Sequence, residues 1–540
     1  MKLQFHISFL LIVLSCLGET SAQEYIVSFK DKGIQFHTPS YYLSSLSNSK
    51  KQKRNIIPDE KDLPVSSIYK EKIIALKIEI LAESKWINSV LIKATHQQLN
   101  KLNCLNFIEK VKPIYHSHSY TTEIKQNLPP QAASYWQSKM LHLDELHNNG
   151  YNGKGLVIAV FDNGFSNVDI NSAFQHLFTS NRIIANRNFV RPNQSVYRTG
   201  SDGEHGARVF SILAAIQAPQ MIGTAYGASY ILAATEDMRS EGILEEFNWL
   251  NAAEWADSIG VDIISSSLGY ATGFTYGSNH TYEELDGKTT IVAQAALIAA
   301  RKGILVVNSA GNEGNSPWKH FISPADADSI LAVGAVDVYE KYSSYSSQGP
   351  RIDGLIKPDI SAMGTQCLTI MTDGSLKTGN GTSFACPMIS GMSACIWQAN
   401  ENAKNMELIS SIKKHGSLAE FPNNYVGWGI PNSKKVLEEI SGIQLYNLPN
   451  HQNRLSVIPN PISDVFKLVY MNYYTLKNFQ LEIYTSEGSY LNTIHLEMEN
   501  GYNEFSFNSK SIGLKPGIYY LRLNEPRSGM LEEKKLLVIP

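Results

Sequence analysis

A hydroxyl becomes a nucleophile when a base stands ready to take its proton, and the base in turn needs an acid to orient it. In this 540-residue chain Asp162, His205 and Ser383 supply those three groups. Each stands where a regular element meets a loop. Asp162 closes the apolar run VIAVF and is followed by Asn163-Gly164, a turn-forming pair that leaves its carboxylate at a strand's carboxyl end. His205 lies in SDGEHGARVFSILAAI, where Val209, Ile212, Leu213 and Ile216 recur at helical spacing, so the imidazole opens a helix. Ser383, in GNGTSFACPMISG, also precedes a helical run. Met388, Ile389, Met392, Cys395 and Ile396 give that helix its buried face, and Pro387 is expected in its first turn, where a missing N–H costs little. The helix start offers unpaired N–H groups and a positive field where an oxyanion would develop.

Taken singly, each residue has a plainer reading: Asp162 as a turn residue, His205 as a satisfied histidine at a helix start, Ser383 as an N-cap. The elements around them favour the joint reading. GLVIAVFD (155 to 162), VDIISSSLG (261 to 269), GILVVNSAGN (303 to 312) and SILAVGAVD (329 to 337) are continuous apolar runs separated by Ala-rich helical stretches such as WLNAAEWADSIG. Unbroken strands alternating with helices predict a parallel sheet covered on both faces. Ligand chemistry in such sheets gathers beyond the carboxyl ends of the strands.

In this order and these contexts, Asp162, His205 and Ser383 resemble the catalytic triad of subtilisin-like serine peptidases. NGTSFACP is close to that family's Gly-Thr-Ser-x-Ala-x-Pro motif, while VFDNGF and EHGA are weaker matches. In NSAGNEG, Asn312 matches the family's side-chain oxyanion donor. SSLG, with Ser267, Leu268 and Gly269, resembles the segment that pairs with extended substrate. Two departures stand out: Asn163 where the family usually has serine or threonine, and Ala207 where it has threonine. The resemblance implies a secreted endopeptidase that cleaves peptide bonds in proteins through a seryl acyl-enzyme. The rival is a catalytically silent binding protein on the same fold, against which the intact set of four groups argues. No cofactor is implied. Calcium is common in the family, but no acidic loop here has a ligand spacing that would assign it.

The peptidase-like region, residues 134 to 441, is flanked on both sides. MKLQFHISFLLIVLSCLGETSAQ reads as a signal peptide ending at Ala22, with a lipoprotein reading through Cys16 as the minor alternative. Residues 23 to 130 combine a Lys-rich strand-helix-strand unit, with KWINSVLIKAT (85 to 95) alternating, and a polar linker from 116 to 131. By resemblance this is the propeptide, chaperone and inhibitor of the enzyme; an accessory domain is the alternative. After the polar connector 446 to 454, residues 455 to 540 alternate with period two and predict an antiparallel β-sandwich. VIPNPISD, GLKPGIYYLRL and KKLLVIP resemble the sorting domain of type IX secretion in Bacteroidota-like bacteria, which implies passage through the periplasm to the cell surface or medium. A carbohydrate-binding domain is the alternative.

Composition excludes other classes. Lys+Arg 47 against Asp+Glu 50 gives a net charge of −3, with no basic footprint for nucleic acid. No long apolar run follows the N-terminus, so no transmembrane helix is expected in the mature chain. Five cysteines are few for a secreted chain of this size. Cys386 and Cys395 would lie about 13 Å apart on one helix, beyond disulfide reach; the state of Cys367 is left open.

Overall fold

The computed structural model describes residues 22–114, 136–197, 200–217, 220–275, 278–443, 455–458, 460–472, 478–498, 501–525 and 530–539. Nearly all of the signal peptide, the 116–131 linker and the 446–454 connector lie outside the described residues. The chain divides into two compact units. The first runs to Gly442, apart from His147–Gly150 and Ala215–Ile222; the second joins those two segments to Ile443–Pro540.

The N-terminal part of the first unit is a four-stranded antiparallel sheet in the order β2-β3-β1-β4. Its strands are β1 (Gln23–Phe29), β2 (Glu79–Ser84), β3 (Ser89–Ala94) and β4 (Ile108–Pro113). The alternating run from 85 to 95 is therefore only partly strand: residues 85–88 form the turn into β3. Helices α1 (Ser45–Lys53), α2 (Ser67–Ala75) and α3 (His96–Leu102) complete it, each capped by a hydroxyl from the residue before it: Ser44, Ser66 and Thr95. Val27, Ile73, Val90, Ile92 and Leu102 form its core.

Seven parallel strands build the central sheet. They are β5 (Val157–Asp162), β6 (Ile183–Asn188), β7 (Ser229–Ala234), β8 (Ile263–Ser266), β9 (Leu305–Ser309), β10 (Leu331–Val336) and β11 (Ile360–Met363), in the order β11-β10-β9-β8-β5-β7-β6. Side-chain alternation shows that helices cover both faces. Ala159, Phe161, Ile264 and Val306 share a core with α5 (Ile243–Ile259) and α6 (Ile291–Arg301). In β8, Ser266 accepts from Trp249 of α5 at 3.0 Å, while Ser265 accepts from Ser390 of α7 (Thr382–Ala399) at 2.8 Å, so adjacent residues face opposite layers. Helix α4 (Glu204–Ala214) packs on α7 and β5.

A basic segment of the N-terminal part docks at the amino ends of these strands. Asp262, fully buried just before β8, pairs with Lys50 and with Arg54 at 2.6 Å, and also accepts from Val157 N at 2.8 Å. Lys51 meets Asp257 at 2.5 Å, and Lys302 meets Asp62 at 2.8 Å. Glu254 accepts from the backbone of Trp86 at 3.0 Å and of Lys85 at 3.2 Å. Gly260 is required for this approach, since a Cβ there would stand 2.6 Å from Ser47 N.

In the second unit, three antiparallel strands pair as β12 (Leu455–Ile458), β13 (Val465–Asn472) and β16 (Gly501–Asn508). Four more pair in the order β15-β14-β17-β18: β14 (Asn478–Thr485), β15 (Tyr490–Glu497), β17 (Gly517–Glu525) and β18 (Met530–Val538). One core, including Phe466, Leu468, Leu481, Leu521 and Leu536, lies between them. Among the described residues, no helix is long and apolar enough to cross a membrane, and Cys104, Cys367, Cys386 and Cys395 are free thiols.

Candidate active site

Asp162 is the last residue of β5 and is fully buried. Its Oδ1 lies 2.8 Å from Nδ1 of His205, the second residue of α4, and accepts from Asn163 N at the same distance. With a carboxylate opposite, Nδ1 carries the imidazole proton and Nε2 is left as the basic nitrogen. The His205 side chain is 37% exposed, so the ring reaches solvent while its inner edge is held. Gly206 makes this contact attainable: a Cβ there would fall 2.1 Å from Gly164 O and 2.8 Å from Asp162 Cβ. The unusual Asn163 has a function of its own, since its Oδ1 accepts from Gly206 N at 3.2 Å and ties the start of α4 to the end of β5.

Ser383 is the second residue of α7, behind an N-cap at Gly381 that makes no side-chain cap bond. The hydroxyl is therefore not a cap; its contact is the carbonyl of Ser267, which accepts at 3.4 Å. Pro387 requires a correction. It is the sixth residue of α7, in the second turn, where its missing N–H deprives the Ser383 carbonyl of its helical partner. The Ser267 hydroxyl takes that place, donating to Ser383 O at 2.8 Å. Ser267 thus holds the backbone of Ser383 and faces its side chain. Phe384 brings the two halves together, its ring centroid 6.3 Å from that of His205.

Asn312 follows the end of β9 and Gly311, whose φ of 109° lets the chain turn there. Its Oδ1 accepts from Thr382 N at 2.9 Å and from Thr382 Oγ1 at 3.1 Å. With the carbonyl end committed to Thr382, the amide nitrogen lies 3.8 Å from where a Cβ on Gly381 would stand, as does Ser383 Cβ. Leu268 O accepts from Asn308 at 2.9 Å, and Gly269 adjoins Ile322. The structure therefore gathers Asp162, His205, Ser383, Asn312 and the 267–269 segment at the carboxyl ends of β5, β8 and β9. Such an arrangement can deprotonate a hydroxyl and offer donors to a developing oxyanion.

Sequence reasoning missed the orienting part of Thr382, although the residue stands in the quoted motif. It also missed an acidic cluster, Glu236, Glu241 and Glu245, whose ligand-capable oxygens lie within 4.8 Å of one another. Glu236 accepts from Tyr270 at 2.6 Å and from Thr235 at 2.8 Å. Burial pushes its carboxyl up to about 7, the hydrogen bonds opposing and the Asp162 charge adding. Burial and the neighbouring glutamates push Glu245 up to about 10, although both of its oxygens accept backbone N–H groups, from Asp237 and Gly242.

Comparison with known proteins places these features. Residues 153–429 match the model of the Subtilase family, residues 24–131 that of the Peptidase S8 propeptide domain of Bacteroidota, and residues 456–538 that of a secretion system C-terminal sorting domain. Subtilisin E from Bacillus subtilis (strain 168) is 26% identical over 376 residues, 68% of this chain and 86% of that protein. Subtilisin from Bacillus pumilus is 30% identical over 268 residues, 49% of this chain and 84% of its own. The epidermin leader peptide processing serine protease from Staphylococcus aureus shares the fold, with a TM-score of 0.54 at 17% identity, over 78% of this chain and 98% of its own.

Proposed function

The chain belongs to the subtilase family and is a secreted serine endopeptidase, and from that premise we propose the part each residue plays. Ser383 attacks the peptide carbonyl. His205 takes the hydroxyl proton at Nε2 and returns it to the leaving amine, while Asp162 fixes the imidazole tautomer and stabilises the imidazolium. Asn312 and the Ser383 backbone N–H receive the oxyanion. The observation that carries this reading is the 2.8 Å contact between a buried Asp162 and His205, on a helix packed against the one that carries Ser383. The long 3.4 Å contact from the Ser383 hydroxyl to Ser267 is one that the hydroxyl can leave cheaply for the imidazole.

The segment 267–269 is the strand against which extended substrate pairs. Residues 23–130 are the propeptide and linker, and the propeptide inhibits the enzyme until it is removed. The C-terminal sorting domain directs the protein out of the cell or onto its surface by type IX secretion. Calcium, common in the family, is assigned no site: the described acidic cluster is already bonded into its own loop through Glu236 and Glu245. The test is the full chain carrying Ser383→Ala. It should neither hydrolyse a mixed peptide library nor process its own N-terminus, whereas wild-type rates in that variant would overturn the assignment.

A further inference from the structure

Resting on the reading of Ser383 as nucleophile, we propose that Ile322 floors the slot for the side chain preceding the cleaved bond and restricts cleavage to bonds after small residues: glycine, alanine and serine. The slot has two walls. One is the segment that continues β8, Ser267 to Tyr270, and the other is the segment that continues β9, Ala310 to Asn312. They meet the nucleophile at its mouth, where Ser267 O lies 3.4 Å from the Ser383 hydroxyl and Asn312 is bonded to Thr382. A peptide paired with the first wall, with its carbonyl at Ser383, directs the preceding side chain between the two.

A third segment closes the bottom. Ile322 N donates to Ala310 O at 3.1 Å, and Ser323 pairs antiparallel with Tyr270 through contacts of 2.7 and 3.0 Å. The Ile322 side chain is thereby fixed between two glycines. A Cβ on Gly269 would lie 2.3 Å from Ile322 Cγ1 and 2.5 Å from Cδ1; one on Gly311 would lie 3.0 and 3.2 Å from the same atoms. Carbon atoms in contact stand about 3.5–4.0 Å apart. Isoleucine therefore already occupies the space that the two glycine walls leave open. It is partly buried against the cluster of Phe321, Leu285 and Ala325, and its branched Cβ is stiff, so it does not swing aside for an aromatic ring.

The experiment uses the full-length enzyme after its own processing and a set of chromogenic peptides that differ only in the residue before the scissile bond: alanine, serine, leucine or phenylalanine. The wild type should favour alanine over phenylalanine in kcat/KM by at least about tenfold, the scale on which pocket size discriminates. Ile322→Ala and Ile322→Gly should raise the phenylalanine-to-alanine ratio stepwise, by about tenfold or more in the glycine variant. A ratio separates pocket shape from stability, because partial unfolding lowers both rates together. Should a variant unfold, the wild-type preference stands as an independent reading. The inference is overturned if the wild type cleaves after phenylalanine or leucine as well as after alanine, or if folded variants keep the wild-type ratio. Should the wild type cleave no peptide that Ser383→Ala fails to cleave, the catalytic reading falls and this inference falls with it.

Discussion

Two aspartates are fully buried at opposite ends of neighbouring strands, and they have different partners. Asp262, before β8, is held between Lys50 and Arg54, two basic side chains brought to it by one N-terminal helix and the residue that follows it. Asp162, after β5, faces the imidazole of His205. Each also accepts one backbone N–H at 2.8 Å, Val157 to Asp262 and Asn163 to Asp162. What separates them is the partner: basic side chains from a distant helix make a joint, whereas an imidazole at the start of α4 makes the contact proposed above to orient a base. The amino end of the sheet thus holds the N-terminal domain while the carboxyl end is free to do chemistry.

The largest effect is expected at the joint. In a chain already carrying Ser383→Ala, so that it cannot process itself, Lys50→Ala with Arg54→Ala leaves Asp262 buried without a cation. Unfolding followed by denaturant should show a loss of about 3–5 kcal/mol. A loss below about 1 kcal/mol would mean that solvent screens this end as it does a surface pair, and the contrast would collapse.

At the carboxyl end, Asn312→Leu should lower kcat by about 10²–10³ and leave KM little changed, because the donor acts when charge develops; the magnitude is the one known for subtilisin, of the same family. Unchanged kcat in a folded variant would reduce Asn312 to a turn residue. Thr382→Val should reproduce part of this loss, since it removes one of the two bonds that orient the Asn312 amide.

Glu236 sharpens the contrast with a carboxyl that has neither kind of partner. Its folded-state value, about 7, lies above the ordinary carboxylate range, so its contribution to stability is present in acid and is lost as pH rises through about 7. Glu236→Gln in the Ser383→Ala background should flatten the decline of Tm between pH 5 and pH 8 by about 2 °C or more, measured by calorimetry. An unaltered slope would show that Glu236 does not titrate there.

Much of this was legible in the sequence because it rests on local pattern. β5, β8, β9 and β10 are buried on both faces and read as unbroken apolar runs. β6 does not: in IIANRN its exposed edge position admits Asn and Arg, so the apolar signal fails. β11, only four residues long, was likewise too short to stand out. Asp162, His205 and Ser383 stood out as candidates because each stands at an element boundary beside turn or helix signals. The docking of Lys50, Lys51 and Arg54 left no such trace, since their partners are more than 200 positions away and a Lys-rich helix reads as a solvated one. Pro387 was misplaced by less than a turn, yet that shift exposes the carbonyl that Ser267 holds.

Ser383 is proposed above as the hydroxyl activated at the carboxyl end of the sheet. Treating the processed enzyme with a sulfonyl fluoride and mapping the modified peptide by mass tests it directly. A single covalent label on Ser383 is expected, matched by loss of activity, with greatly slowed labelling in His205→Ala. A label on another residue, or full inactivation with Ser383 unmodified, would contradict it.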